Sequence, residues 1–451
     1  MAKSYFIGLD LGTSGVKGAL VSSLGEVKKT VTVAFDYYTL DGAKLLSVQG
    51  FIESCYKAIG ELAAFAEDGE VKAICSSGAA GSMTALDKDG DPIIPIIGWQ
   101  TKIDSDDLSE FYSDEEKKEL RRLIGWPIGL GFPGAYIPAI RKHRPDLFSK
   151  VTTFLMSIEY LNYTLTGKLG ISHSLATPSD LCDQKAGVYN GKLLKKLSLT
   201  EDMLPPLMDK CASLGFLKKD IAERLSLPSD CQVVLGSFDH PAGAVGAGVF
   251  EVGEALLSLG TSWVTLFPIS ARECGEDKPL LIDRFLLSGA PYLVMKSIAS
   301  VSEKIKDLRE RLLGSISHSE FDRLAEGSEK GASGLRFNFD GSDVSLAEGK
   351  ERRHIARAII ESAAGLLKDN LTLMEELGFP SDKLTMIGGI TNSPVCSKII
   401  AETLGKTVTV INGEAAGAVG SAIMAAVGTG LFKSEREAFS SMNFERRVYE
   451  V

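Results

Sequence analysis

The feature that most constrains this chain is a turn written twice. Leu-Gly-Thr-Ser occurs at Leu11–Ser14 inside "IGLDLGTSGVKGAL" and again 248 positions later at Leu259–Ser262 inside "ALLSLGTSWVTLF". Both copies join two apolar, strand-like runs, so each reads as a β-hairpin with a small-residue turn. The same strand–turn–helix pattern then follows each hairpin. In the first half it appears as "VKAICSSG" and "CQVVLGSFDHPAGAVGAG"; in the second it appears as "LTMIGGITNSP" and "TVTVI" followed by a helix over Glu414–Val427. A repeat this long excludes short solenoid units and predicts two α/β domains of one plan, residues 1–249 and 250–451, with the boundary near Gly248–Gly253. One asymmetry stands out. Asp10 leads into the first turn and Ser258 into the second.

Length agrees, since 451 residues exceed one comfortable core. Along the chain, "YFIGLDL", "VKGALVSS" and "VKKTVTVAF" predict three consecutive antiparallel strands. Ser47–Phe65 carries apolar residues at helical spacing, and "KDGD" reads as a hairpin turn. Residues 104–225 read as mostly helical with irregular joins. Arg352–Leu377 reads as a long amphipathic helix stopped by Gly378 and Pro380, and a further helix is capped by Ser393 with Pro394 at its first position.

Charge narrows the function classes. With 49 basic against 59 acidic residues the net charge is −10, which argues against a nucleic-acid partner. Seven cysteines without a C-x-x-C pair and five scattered histidines give no zinc spacing and suit a reducing compartment. No signal peptide is evident, and the longest apolar run, Gly417–Phe432, falls short of the roughly 20 residues that span a bilayer. It reads as a buried helix. The expectation is a cytoplasmic protein without a membrane partner; a homodimer is left open.

The turns suggest chemistry. A Gly-Thr-Ser turn offers backbone amides and two hydroxyls, and concave sets of amides attract phosphate oxygens. Two such turns, Gly12, Thr13 and Ser14 in one domain and Gly260 and Thr261 in the other, could hold a triphosphate. An aspartate leading into one of them, Asp10, could hold Mg²⁺. Gly388 and Gly389 have backbone room for an α-phosphate or ribose, although such pairs are also common structural punctuation. Asp239, opening a Gly/Ala helix, is a candidate general base with a helix N-cap as the structural alternative. His240 beside it reads as a hydrogen-bonding neighbour.

Five segments in order, "GLDLGTSGVKGAL", "SFDHPAGAVGAGV", "GEALLSLGTSW", "MIGGITNSPVCSKIIAETLG" and "GEAAGAVGSAIMAAVGTG", give the chain a resemblance to the FGGY carbohydrate kinases, xylulokinase-like in particular, within the actin, Hsp70 and hexokinase superfamily. The resemblance implies two ribonuclease-H-like (actin-like ATPase) domains, each a mixed sheet flanked by helices, with a cleft between them. It further implies ATP-dependent phosphorylation of a sugar or polyol such as xylulose or a less polar relative. Asp10 and Asp239 then match the metal-side carboxylates for Mg²⁺, with Asp239 also the base. Gly12, Thr13, Ser14, Gly260 and Thr261 match the phosphate turns, and Gly388, Gly389 and Asn392 the adenosine segment.

The departures lie on the acceptor side. Where relatives commonly read S-G-Q-M-H-G, this chain has Ser77–Ser82, so a Met and a His become Ala80 and Gly81. In W-x-D-x-R, Trp99 stays while Thr101 and Ile103 replace the charged pair, removing charge-assisted hydrogen bonds of about 1.5–3 kcal/mol each. His240 replaces an Asn, Tyr136 and Ala139 alter a helix, and the stretch between Gly334 and Arg352 is short. A wider, less polar acceptor pocket is expected, with Ala80, Gly81, Trp99, Tyr136, Asp239 and His240 around the substrate. The alternative reading is a kinase-like sugar or nucleotide sensor without turnover, whose mark would be loss of Asp10, Asp239 or a Gly-Thr turn.

Overall fold

The computed structural model describes residues 3–66, 68–287, 289–339 and 344–451. Part of the short Gly334–Arg352 stretch therefore lies outside the described residues. The chain forms two compact units: Met1–Gly248, Ser270–Leu293 and Gly417–Asn443 make the first, and Val249–Ile269, Val294–Ala416 and Phe444–Val451 the second. A single cut at 249/250 would assign two of the first unit's segments to the second domain.

The first unit is built on a six-stranded sheet in the order Ser213–Phe216, Gln232–Phe238, Gly69–Gly78, Lys3–Leu11, Gly15–Ser22, Val27–Ala34. The three expected N-terminal strands pair antiparallel, and Lys3–Leu11, Gly69–Gly78 and Gln232–Phe238 run parallel at the centre. Parallel strands covered on both faces favour near-continuous apolar runs, as in "VKAICSSG". Helix Val48–Ala63 starts where Ser47 accepts from the Gly50 amide and buries Phe51, Cys55, Ile59 and Leu62 at helical spacing.

Two local expectations change. Residues 104–225 carry short strands between their helices. Thr153–Met156, buried throughout, pairs with Met83–Leu86 in a separate five-stranded sheet. No small-residue turn precedes the helix at 239 either. Strand Gln232–Phe238 passes directly into helix Asp239–Gly246, so Phe238 occupies the cap position and Asp239 is the first helical residue. The "KDGD" turn forms as expected, with the Asp87 carboxylate accepting from the Asp89 and Asp91 amides.

The second sheet has seven strands, in the order Leu281–Arg284, Tyr292–Ile298, Trp263–Ile269, Glu254–Leu259, Lys383–Ile387, Val408–Ile411, Arg446–Tyr449, and the last six repeat the first sheet's order read from its other edge. Its hairpin is antiparallel, its centre parallel and its last strand antiparallel. Helix Arg352–Glu376 covers this sheet, and Asn370 Nδ2 donates to Thr265 Oγ1 at 3.2 Å. Helix Pro394–Leu404 begins as expected, Ser393 Oγ accepting from the Cys396 amide at 2.9 Å.

The Gly/Ala-rich helix Ala416–Gly428 belongs, from Gly417 onward, to the first unit. Its small residues are required by close backbone approach. A Cβ on Gly420 would stand 1.9 Å from the Ala242 carbonyl oxygen, and one on Gly8 1.9 Å from that of Ala418. Ser421 Oγ donates to the Leu9 carbonyl at 2.9 Å. A buried ion pair, Lys210–Glu435 at 2.5 Å, ties in the segment that follows. Among the described residues no helix is long and apolar enough to cross a membrane, and all seven cysteines are free thiols.

Candidate active site

Strand geometry brings Asp10 and Asp239 to the same edge of the first unit's sheet. Asp10 pairs with Ser77 and Phe238 with Gly78, so the strands leading to both aspartates end level with the one between them. Two strand spacings place their backbones about 10 Å apart. The Asp10 carboxyl is pushed up to about 7, first by burial and then by the charge of Asp239, while Lys17 pulls it down. Gly417 closes the other side, since a Cβ there would lie 2.6 Å from Asp10 Oδ2. Asp239 Oδ1 accepts from the His240 amide at 2.7 Å, with His240 Nδ1 3.7 Å away. Asp239 and His240 both keep part of their side chains in solvent.

Behind Asp239 stands a carboxylate the sequence reading missed. Asp283 is fully buried, and its carboxyl is held well above the usual range, chiefly by loss of solvation; Asp239 adds to this. Its Oδ1 accepts from the Arg284 amide at 2.7 Å and its Oδ2 from Ser174 Oγ at 3.5 Å. Ser174 Oγ in turn accepts from the Phe238 amide at 3.2 Å, at the strand end that presents Asp239. The only sequence signal was an aspartate inside the apolar run "LLIDRFLL".

The expected acceptor-side residues separate into two groups. Trp99 Nε1 donates to Thr13 Oγ1 at 3.3 Å, which ties this residue to the first turn. Ala80 and Gly81 are buried beside it, the Gly81 amide lying 3.2 Å from Met156 Sδ. Tyr136 is corrected to a packing role. It is buried, and its hydroxyl lies 3.0 Å from the Gly98 carbonyl and 2.8 Å from that of Thr101, leaving it no free face for a substrate. Thr101 Oγ1 is likewise engaged by the Lys44 amide and carbonyl.

In both turns the residues suit an anion. Gly12, Thr13, Ser14, Gly260 and Thr261 are at least partly exposed, and no described residue accepts a hydrogen bond from the amides of Thr13, Ser14, Gly260 or Thr261. The second turn is braced by its own unit, Ser302 Oγ donating to the Gly260 carbonyl at 2.6 Å and the Ser302 amide to that of Thr261 at 3.2 Å. Gly388 sits at φ 106°, where a Cβ would stand 2.3 Å from the Leu259 carbonyl oxygen, so only glycine lets these two segments meet. Gly389 opens onto free space, and Asn392 Nδ2 donates to Glu414 Oε2 at 2.7 Å. Among the described residues no cluster of three or more His, Cys, Asp or Glu side chains could hold a metal.

The FGGY family of carbohydrate kinases matches with its N-terminal domain over residues 5–246 and its C-terminal domain over residues 327–429. A xylulose kinase of Staphylococcus epidermidis is 27% identical, covering 96% of this chain and 90% of the relative. A gluconokinase of Bacillus subtilis is 22% identical, covering 96% and 89%. A ligand-bound xylulose kinase structure from Lactobacillus acidophilus superposes with a TM-score of 0.87 at 19% identity, covering 99% of this chain and 94% of that one. A Plasmodium falciparum glycerol kinase with ADP superposes at 0.83 and 16% identity, over the same shares. These likenesses establish the two-domain actin-like ATPase fold. With both domain matches in chain order, the protein belongs to the FGGY family of carbohydrate kinases, enzymes that phosphorylate a carbohydrate hydroxyl with ATP.

Proposed function

We propose that this kinase transfers the γ-phosphoryl group of ATP to a hydroxyl of a small ketose or related polyol, with Asp239 as the general base. The observation that carries the reading is the electrostatic meeting of Asp10 and Asp239 at one sheet edge, where the Asp10 carboxyl is pushed up to about 7. A carboxyl whose ionisation is opposed by burial and then by a neighbouring carboxylate suits a site built to receive a dication, and Mg²⁺ fits the pair. Bound there, it would supply neutralisation of phosphate charge. Asp10 and Asp239 would hold it, with the remaining ligands drawn from water and phosphate, since no third acidic side chain joins them among the described residues.

Each residue then has a role. Asp239, part-exposed at the first position of its helix, accepts the proton of the acceptor hydroxyl as that oxygen attacks. The amides of Thr13 and Ser14, and those of Gly260 and Thr261, are the donors offered to phosphate oxygens. Gly388, Gly389 and Asn392 form the adenosine side. Trp99 and His240 contact the acceptor, while the buried Asp283–Ser174 link holds the strand end that presents the base.

The loose transition state of phosphoryl transfer asks for positioning and charge more than covalent help. A ketopentose such as xylulose is the reference acceptor because xylulose kinases are prominent among the relatives. The test is ADP release over a panel of ketoses and polyols. Asp239→Asn is expected to lose about 10²–10⁴-fold in kcat. Turnover unchanged in Asp239→Asn would remove it as the base.

A further inference from the structure

The aromatic side chains near Asp239 form an unbroken series of contacts. Trp99, bonded to Thr13, lies parallel to Phe132 with ring centroids 6.3 Å apart and planes 6° from parallel. Phe132 meets Trp126 edge-on at 6.1 Å, Trp126 meets Phe238 edge-on at 5.4 Å, and Phe238 meets His240 edge-on at 5.1 Å. Phe238 and His240 flank Asp239 in sequence, and Asp239 couples electrostatically to Asp10, three residues before Thr13. The series therefore runs from the first turn round to the two residues that flank the base. Much of that series is carbon surface.

Phe132 is the anomalous member. Its backbone lies at φ 71°, ψ 163°, a region essentially reserved for glycine, and such conformations persist only where surrounding structure enforces them. Here the Phe132 carbonyl accepts from the Ala135 and Tyr136 amides, both at 3.0 Å, and the Trp99 and Trp126 rings hold the side chain on two sides. What the conformation achieves is visible at Gly81. A Cβ there would stand 2.0 Å from the Phe132 ring. The ring thus occupies the volume that a side chain at position 81 would fill, and it offers no hydrogen-bonding atom in return.

Resting on the kinase reading above, we propose that Phe132 is the specificity-determining residue of the acceptor site and that the site selects a carbohydrate whose carbon facing this ring carries no hydroxyl. A deoxy carbon meets the ring without loss, whereas a hydroxyl there gives up its water partners and finds no protein partner. An apolar pocket rejects an added hydroxyl by about a hundredfold at most, so the selection is graded.

Matched acceptors differing by one hydroxyl provide the test: D-xylulose with 1-deoxy-D-xylulose, and L-fructose with 6-deoxy-L-fructose. The wild-type protein is expected to favour the deoxy member of at least one pair by about 10–100-fold in kcat/KM. Phe132→Gly, which removes the ring and suits the backbone, should bring that ratio to within about twofold while the KM for ATP stays put. Phe132→Ala and a thermal melt of both variants guard against a folding defect, because a purely structural Phe132 would lower Tm and leave the ratio alone. Equal kcat/KM within both pairs, or a preference that survives Phe132→Gly, overturns the assignment of Phe132 and leaves the kinase reading standing. Failure of the wild-type protein to phosphorylate any of the four acceptors, or any of the wider panel, overturns both.

Discussion

The two Leu-Gly-Thr-Ser turns use the same letters at corresponding points of two sheets with the same strand order, yet they are built differently. In the first hairpin Leu11 pairs with Val16; in the second Leu259 pairs with Trp263. The first turn is thus one residue longer, and the extra position is Gly15, where a Cβ would stand 2.3 Å from the Val33 carbonyl oxygen. Their braces differ as well. In the first turn Trp99 Nε1 donates to Thr13 Oγ1 and the Phe35 amide to the Ser14 carbonyl; in the second Ser302 holds the Gly260 and Thr261 carbonyls and the Ser300 amide donates to Ser262 Oγ. Only the first is led by an acid that meets a second carboxylate. Under the proposed function both turns offer amides to phosphate, whereas metal and acceptor are assigned to residues of the first unit.

The comparison can be broken first at its scaffold. Lys210→Ala leaves Glu435 charged and buried without its partner and is expected to lower the unfolding free energy by about 3–5 kcal/mol, as measured by denaturant unfolding. Breaking the exposed pair Lys3–Asp68 of the same unit should leave the unfolding midpoint nearly unchanged. A Lys210 variant as mild as the surface one would mean that the C-terminal segment is not anchored there.

Next in size come the glycines of the second unit. Gly388→Ala must move the Leu259 carbonyl and strain a positive-φ backbone, costing about 1–3 kcal/mol from conformation alone and raising the KM for ATP. Gly389→Ala meets open space and should melt within a degree or two of wild type. Equal effects at the two positions would remove the close approach as the reason for Gly388.

A pH series gives a smaller effect. The Asp10 carboxyl rises from an ordinary value of 3.8 to about 7 on folding, so the folded state binds a proton the unfolded state has released. In the absence of divalent cations, wild-type stability should fall as pH rises from about 4 to about 7 and then level off. Asp10→Asn should lack that decline, so its Tm gains on wild type across this window. Parallel Tm curves for the two proteins would place Asp10 in ordinary solvent.

Local chemistry explains how much of this was legible in the sequence. The hairpins, the helix after Ser47, the Ser393 cap and the buried core strands follow from apolar runs and a capping residue that act within a few positions. Asp10 and Asp239 were readable because each ends an apolar strand. The five-stranded sheet was not, because Ile96–Ile97 and Met83–Leu86 are too short to show a period. Nor was the return of Ser270–Leu293 to the first unit, which brings Asp283 behind the base. That return depends on contacts such as Trp126 Nε1 to the Ile282 carbonyl at 3.1 Å, 156 positions apart. Tyr136 misled for a related reason, since a tyrosine opposite two backbone carbonyls looks in sequence like one facing a ligand.

The most direct test of the asymmetry is a Mg²⁺ titration of ADP release at saturating ATP and acceptor, run on wild type, Asp10→Asn and Ser258→Ala. The account predicts that Asp10→Asn weakens the apparent Mg²⁺ affinity by about 10–100-fold while Ser258→Ala stays within about twofold of wild type. Equal shifts in the two variants, or none in Asp10→Asn, would contradict it.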